Sequence, residues 1–111
     1  MADRGRVVVV AAGFGLWRDG KCLAAGKWTD VAQLRAHRSS ATPPSVSLII
    51  QLRDGSEVEI LEEAPGWATL VNALPSRLPG APGPESWIAE VRESPTGEAD
   101  RTLFEPRTFG R

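Results

Sequence analysis

The sequence of 111 residues contains a single cysteine, Cys22, and a single histidine, His37. One cysteine has no intrachain partner, which excludes a disulfide-stapled scaffold. One cysteine and one histidine also fall short of the three or four clustered ligands that a zinc site requires. No apolar stretch approaches the roughly 18–20 residues of a membrane-spanning helix. We therefore predict no metal, no cofactor and no membrane association.

An excess of one charge is also missing, because 13 Lys and Arg residues stand against 14 Asp and Glu residues. Binding to the phosphates of nucleic acids favours a basic excess, and a pI of about 5.8 does not supply one. We expect no nucleic-acid partner. With 41% hydrophobic residues, the chain has the composition of one globular domain. We place that domain at residues 1–111 and expect its ends, 1–5 and 107–111, to fray.

The apolar stretch from Val7 to Trp17 follows Arg4 and Arg6 and superficially resembles a secretory signal peptide. The charged segment 18–21 comes next, where a cleavage region should be small and uncharged. We therefore expect a cytoplasmic protein, which also suits an unpaired cysteine.

Tyrosine is absent and lysine is rare, whereas alanine, glycine and proline are plentiful. These preferences are typical of a GC-rich coding sequence, so we expect a bacterial source.

The run 7–10 followed by Gly13-Phe14-Gly15 looks like a strand entering a dinucleotide-binding glycine loop. The fingerprint fails at its third glycine, where Arg18 stands, and Asp19-Gly20 cuts off the helix that should follow. We interpret the segment instead as a long bent strand whose glycines allow a bulge or a close approach of backbones.

Two Asp-Gly pairs, Asp19-Gly20 and Asp54-Gly55, stand between apolar runs and are typical of tight turns between antiparallel strands. They predict two hairpins. In the second, Val58 and Ile60 alternate with Glu57 and Glu59, so the two apolar side chains point inward. The predicted strand pairs are 14–17 with 22–25 and 46–52 with 57–61.

The segment 28–38 fits two structures. Thr29 or Asp30 could cap a short helix, and a bulged strand fits equally well. Residues 39–45 are polar and contain Pro43-Pro44. Such a segment interrupts regular secondary structure and predicts an exposed loop.

Beyond residue 61 the apolar residues no longer recur at every second position but about every 3.6 residues, which predicts an amphipathic helix. Pro65 suits its first turn, and Pro79-Gly80 stops it. Pro75 must kink the helix or end its regular part near Leu74. Pro84-Glu85-Ser86 opens a second short helix, and 102–104 is interpreted as a final strand. The apolar residues at helical spacing are Trp67, Leu70, Val71, Leu74 and Leu78.

In chain order the pattern is an aromatic-rich strand, an Asp-Gly turn, a Trp-x-Asp-Val-x-x-Leu segment, a second Asp-Gly hairpin, a helix ending in Leu-Pro-Gly, a short helix and a strand. It resembles small uncharacterised bacterial proteins with a pleckstrin-homology-like, strongly bent antiparallel sheet, over most of 14–107. The resemblance implies that 28–38 is a strand. Two departures are the proline-rich loop and a helix-strand tail in place of a single closing helix. The residues carrying the likeness are Trp28, Asp30, Val31, Leu34, Asp54-Gly55, Val58, Ile60, Leu70, Leu74 and Leu78-Pro79-Gly80.

We therefore predict an α+β domain in which one principal amphipathic helix and a short second helix accompany a strongly bent antiparallel sheet of five or six strands. Trp17 and Trp87 stay open between core and binding surface. The predicted core comprises Trp28, Val31, Leu48, Ile50, Val58, Ile60, Trp67, Leu70 and Leu74.

Side chains suited to catalysis are scarce. His37 would have to serve any triad or Cys-His pair, and no nucleophile motif surrounds it. Cys22 lies on a predicted strand, and we interpret it as a small buried apolar residue rather than a reactive thiolate. Glu57 and Glu59 could act as paired carboxylates, but on the polar side of an alternating strand we interpret them as solvated.

Three basic residues, Arg35, His37 and Arg38, directly precede the proline-rich loop. On a strand, Arg35 and His37 would share one face and Arg38 the other. We interpret them as a candidate contact patch for an acidic protein partner or anionic ligand, with a solvated strand end as the alternative.

The functional prediction is a non-catalytic binding protein. The alternatives are an immunity-type inhibitor of a neighbouring toxin and an enzyme that depends on His37.

Overall fold

The computed structural model describes residues 5–38, 45–93 and 99–105. They form two antiparallel sheets and two α-helices, which confirms the α+β class with one principal and one short helix. The strands are Arg6–Val9 (β1), Gly13–Arg18 (β2), Lys21–Lys27 (β3), Val31–Arg38 (β4), Val46–Leu52 (β5), Glu57–Leu61 (β6) and Ala99–Phe104 (β7), and the helices are Trp67–Arg77 (α1) and Ile88–Arg92 (α2).

The described strands divide into two sheets, with orders β1-β2-β3 and β6-β5-β4-β7, where one sheet of five or six strands was expected. The extra strand comes from the segment interpreted as one long bent strand. Val10 N donates to Gly13 O at 2.9 Å and Gly13 N returns a bond to Val10 O at 3.3 Å. The chain therefore reverses between β1 and β2. No helix follows the glycines here, so the segment lacks the strand-helix turn of a dinucleotide site.

The segment 28–38 is a strand after a short turn, as the resemblance implies. Trp28–Asp30 forms a 3₁₀ turn without a side-chain cap, and β4 follows it. β4 pairs with β5 on one side and β7 on the other. Pairing on both edges satisfies its backbone groups, whereas an isolated one- or two-turn helix is marginal. The predicted loop at 39–45 lies outside the described residues except for Ser45.

Both Asp-Gly hairpins are confirmed. At the first, Asp19 and Gly20 have φ angles of 53° and 76°, the pair of positive angles that a two-residue hairpin turn needs. At the second, only Gly55 is positive, at 93°. Leu52 N donates to Ser56 O at 2.8 Å and Gly55 N to Leu52 O at 2.9 Å. The second turn therefore contains three residues between the closing pair.

Replacing Gly55 with valine is expected to destabilise the protein by about 1 kcal/mol or more, because a β-branched side chain is strained at positive φ. A Cβ at Gly55 would meet no heavy atom within 4 Å, so the loss measures backbone strain alone. Chemical denaturation checks this, with Arg53→Val in the same exposed turn as the control. An unchanged midpoint for Gly55→Val would contradict the turn geometry.

The principal helix packs through Leu70, Val71 and Leu74, which are buried. It begins at Trp67 after Gly66, whose φ is 93°, so Pro65 precedes the helix and lies outside its first turn. The helix also runs through Pro75 to Arg77, so Pro75 does not end it near Leu74, which was one of the two outcomes expected for this proline. Pro75 is exposed, so its ring does not disturb packing against the sheets.

Leu74→Ala is expected to cost about 2–5 kcal/mol of unfolding free energy, the usual range for a leucine truncated in a packed core. Leu74 is fully buried, whereas Arg77 on the same helix is exposed. Arg77→Ala should therefore change stability by no more than about 0.5 kcal/mol. Urea denaturation of both variants measures the difference, and equal small losses would show that this face of the helix is not packed.

Eight of the nine predicted core residues are buried, and the ninth, Trp67, is half-buried. Trp87 is fully buried, and its ring packs edge-on against that of Trp67, with centroids 6.3 Å apart. Trp17 is 40% exposed. Within the described ranges, no helix combines the length and apolar character needed to cross a bilayer.

Candidate functional site

The three basic residues predicted as a contact patch do not lie on one surface. Arg35 and His37 are half-buried on one face of β4, and Arg38 points to the opposite face, where it is 8% exposed. Arg35 Nη2 lies 3.0 Å from Glu57 Oε2, which offsets its charge. The alternation of a strand separates Arg38 from the other two, and the packing of α2 covers it.

Arg38 serves instead as a contact between β4 and α2. Its Nη1 donates to the backbone oxygen of Arg92, in the last turn of α2, at 3.3 Å. Its Nε and Nη2 atoms are buried and have no hydrogen-bond partner among the described residues. A guanidinium in this position holds a helix end and offers little surface to a protein partner.

The prediction that Cys22 is buried is wrong. Cys22 is exposed on β3, where its thiol lies 3.5 Å from Ala24 O. β3 is an edge strand, and its pairing with β2 is interrupted by a bulge, so the side chains near the bulge are left uncovered. Glu57 and Glu59 are exposed as predicted, and Glu59 accepts a bond from Ser47 Oγ at 2.9 Å. Among the described side chains, no group of three His, Cys, Asp or Glu residues could hold a metal ion.

A cleft of about 640 Å³ lies where the end of the three-stranded sheet meets the β5–β6 turn. This volume falls within the roughly 300–1,000 Å³ typical of ligand sites. Phe14, Gly26 and Leu52 form its apolar floor. A Cβ at Gly26 would lie 3.0 Å from both Phe14 Cζ and Leu52 Cδ2. Glycine at this position therefore lets β3 approach the two side chains closely.

The walls of the cleft are held by hydrogen bonds around Trp28. Trp28 Nε1 donates to Val10 O at 3.2 Å, and Trp28 N donates to Ala12 O at 3.1 Å. The Trp28 ring also packs against Phe14, with centroids 5.2 Å apart. On the other side, Arg53 N donates to Asp30 O at 2.9 Å and ties the β5–β6 turn to the 3₁₀ turn. These bonds preform the cleft.

Charges of both signs surround the opening. Lys27 and Arg53 contribute two cations, and Asp30 and Asp54 contribute two carboxylates. The side chain and backbone of Ser56 donate to Asp54 and lower the pKa of its carboxyl. In the part of the chain that the structure describes, neither Lys27 nor Arg53 takes part in an ion pair.

β3 borders the cleft with part of its backbone unpaired. The backbone N–H and C=O groups of Gly13 bond to Val10. In an antiparallel ladder the direction of these groups alternates along the strand, so the backbone groups of Phe14 point toward β3. The residue opposite Phe14 on β3 is Gly26. Ala25 and Lys27 then direct their backbone groups away from β2. No described strand pairs with that edge of β3, and both residues are exposed.

A second groove, of about 470 Å³, lies beside Trp17 and is also lined by Arg6, Val8 and Arg18. A Cβ at Gly15 would be 3.0 Å from Trp17 Nε1, so the indole lies over this glycine. With Val8 and Leu23, exposed by 38% and 52%, Trp17 leaves apolar surface on the three-stranded sheet.

Sequence reasoning missed the cleft because its residues come from four separate stretches of the chain. The available signals were Gly13 and Gly26, which permit close approach of backbones, and the second Asp-Gly turn.

Comparison of the chain with protein-family models, with curated proteins and with solved structures found no match. The pleckstrin-homology likeness stays a prediction, and the functional argument rests on geometry.

Proposed function

We propose that this protein is a non-catalytic binding module that holds an extended segment of another protein in the cleft beside β3. The observation that carries the proposal is a preformed apolar cleft next to a strand whose outward backbone groups are unpaired among the described residues. A polypeptide would use both features at once. Its backbone would form hydrogen bonds with Ala25 and Lys27, and one of its side chains would enter the cleft and contact the apolar floor.

The distribution of polar groups supports a polypeptide over a compact metabolite. Small-molecule sites place a few polar groups inside the pocket to fix the orientation of the ligand. Here the floor of Phe14 and Leu52 is apolar, and the charged groups stand at the rim. A rim of mixed charge around an apolar centre is the usual arrangement of a protein interface.

The same geometry bears on the alternatives. Neither His37 nor Cys22 lines the cleft, so an enzyme dependent on His37 would need a different site. An immunity-type inhibitor is a special case of the proposed function, in which the partner is a toxin encoded nearby. The genomic neighbourhood of the coding sequence tests that case. A cytoplasmic location, predicted from the sequence, is part of the proposal.

A displayed library of random ten-residue peptides tests the proposed function directly. We expect the parent protein to enrich peptides that lose at least tenfold in affinity for an Ala25→Pro variant, because proline removes the outward N–H of β3. Glu59→Pro on β6, the edge strand of the other sheet, is the matched control and should bind like the parent. Circular dichroism confirms folding of both variants. No enrichment, or equal binding to the Ala25→Pro variant, would refute the function.

A further inference from the structure

Both lysines of the chain, Lys21 and Lys27, stand at the two ends of β3, and the other eleven basic residues are arginines. Both lysines are exposed. Neither takes part in an ion pair within the described ranges. The edge of β3 therefore carries two unneutralised cations, with Cys22, Leu23, Ala24, Ala25 and Gly26 between them.

This arrangement opposes pairing of β3 with a second copy of itself. In an antiparallel pair centred on Ala24, Lys21 of one copy would stand opposite Lys27 of the other. Like charges directly opposite each other destabilise a strand pair, and lysines on edge strands are a common protection against self-association. The same lysines attract a strand that carries carboxylates.

We propose that the segment bound by β3 is acidic, with a carboxylate near each of Lys21 and Lys27 and an apolar residue between them that enters the cleft. The proposal rests on the proposed function and adds the chemical class of the partner. At the rim of the cleft, Asp30 and Asp54 match Lys27 and Arg53 in number, so the preference for carboxylates rests on the two lysines of β3. One further feature favours a bound strand. The described residues leave the outward backbone groups of Ala25 and Lys27 unpaired by any strand.

The chain supplies a suitable probe in the sequence of β6. The segment 56–63 reads Ser-Glu-Val-Glu-Ile-Leu-Glu-Glu. Acidic and apolar side chains alternate over 57–60, and Glu57 and Glu63 are spaced like Lys21 and Lys27. Within the folded protein these carboxylates are engaged. Glu57 pairs with Arg35 and Glu62 pairs with Arg92. A synthetic peptide of this sequence presents the same pattern free, and a second peptide with every glutamate replaced by lysine is its matched control.

The test is titration of the isotope-labelled full chain with each peptide, followed by nuclear magnetic resonance at low and high salt. We expect the acidic peptide to shift the outward amides of Ala25 and Lys27 more than those of Ala24 and Gly26. Its affinity should exceed that of the lysine peptide at least tenfold, and added salt should reduce the difference. A Lys21→Glu, Lys27→Glu double variant should reverse the preference. Arg77→Glu, on the exposed face of α1, should leave it unchanged.

The outcomes separate this inference from the function on which it rests. Equal binding of the two peptides at β3, or binding only of neutral peptides from the displayed library, would overturn the acidic partner while the binding function stood. A dimer of the parent that forms through β3, detected by sedimentation, would overturn the acidic partner as well. If neither the peptides nor the library engages Ala25 and Lys27, the binding function itself fails.

Discussion

Replacing Arg38 with glutamate is expected to lower the free energy of unfolding by about 3–5 kcal/mol, the usual cost of leaving an uncompensated charge in the interior. Arg38 is 8% exposed, and its Nη1 donates a hydrogen bond to the carbonyl oxygen of Arg92. A carboxylate in its place would face that oxygen as an unpaired anion. The sequence pattern alone predicts a contact patch that includes Arg38, and charge reversal in such a patch would leave stability unchanged.

Two further variants show whether the loss of stability in Arg38→Glu comes from the buried negative charge or from any change on β4. Arg35→Glu, on the other face of β4, removes an ion pair with Glu57 and should cost about 1 kcal/mol or less. Arg38→Met keeps an unbranched apolar stem and removes the buried Nε and Nη2 atoms, which lack partners among the described residues, so it should be close to neutral. Urea unfolding followed by circular dichroism compares them. A stable Arg38→Glu variant would mean that this side chain reaches solvent.

Truncating Trp87 to alanine is expected to cost about 3–5 kcal/mol, the usual range for a buried aromatic residue replaced by alanine. Trp87 is fully buried at the start of α2, and its ring packs edge-on against Trp67. Its loss would leave a cavity and remove the aromatic contact. Trp87→Phe keeps a ring and eliminates an indole N–H that has no hydrogen-bond partner among the described residues, so it should cost clearly less.

Trp17→Ala is the control for this prediction, because Trp17 is the same residue type at 40% exposure. We expect its effect on stability to be less than half that of Trp87→Ala. Denaturation monitored by far-ultraviolet circular dichroism avoids the change in tryptophan fluorescence. Equal losses at the two positions would show that the second helix is not docked on the sheets through Trp87.

These stability predictions involve residues outside the cleft, which makes them useful controls for binding. Arg38 and Trp87 support the contact of α2 with the four-stranded sheet. The cleft lies where the three-stranded sheet meets the β5–β6 turn, and neither Arg38 nor Trp87 lines it. Variants of Lys21 and Lys27 change exposed positions, where substitutions usually alter stability by about 0.5 kcal/mol. Loss of binding in those variants would therefore report on the site.

Local features of the fold could be predicted from the residues alone. The Asp-Gly pairs specify tight turns because glycine tolerates positive φ, and both hairpins form where they predict. The alternation at Val58 and Ile60 places these residues inward, and the helical spacing of Leu70 and Leu74 buries one face of α1. These features depend on neighbours within a few residues, so the chain encodes them directly.

The pairing of elements and the surfaces that they cover depend on the folded arrangement. The chain reverses after Val10, which adds a strand, and β3 does not pair with β4, so the described strands form two sheets. Docking of α2 buries Arg38, although its strand position alone would suit a surface. The exposed edge of β3 leaves Cys22 in solvent, and the meeting of Gly26 with Leu52 forms the cleft floor. Burial and cleft shape arise from contacts between segments distant in the chain, and no local pattern of residue types encodes which distant segment supplies the contact.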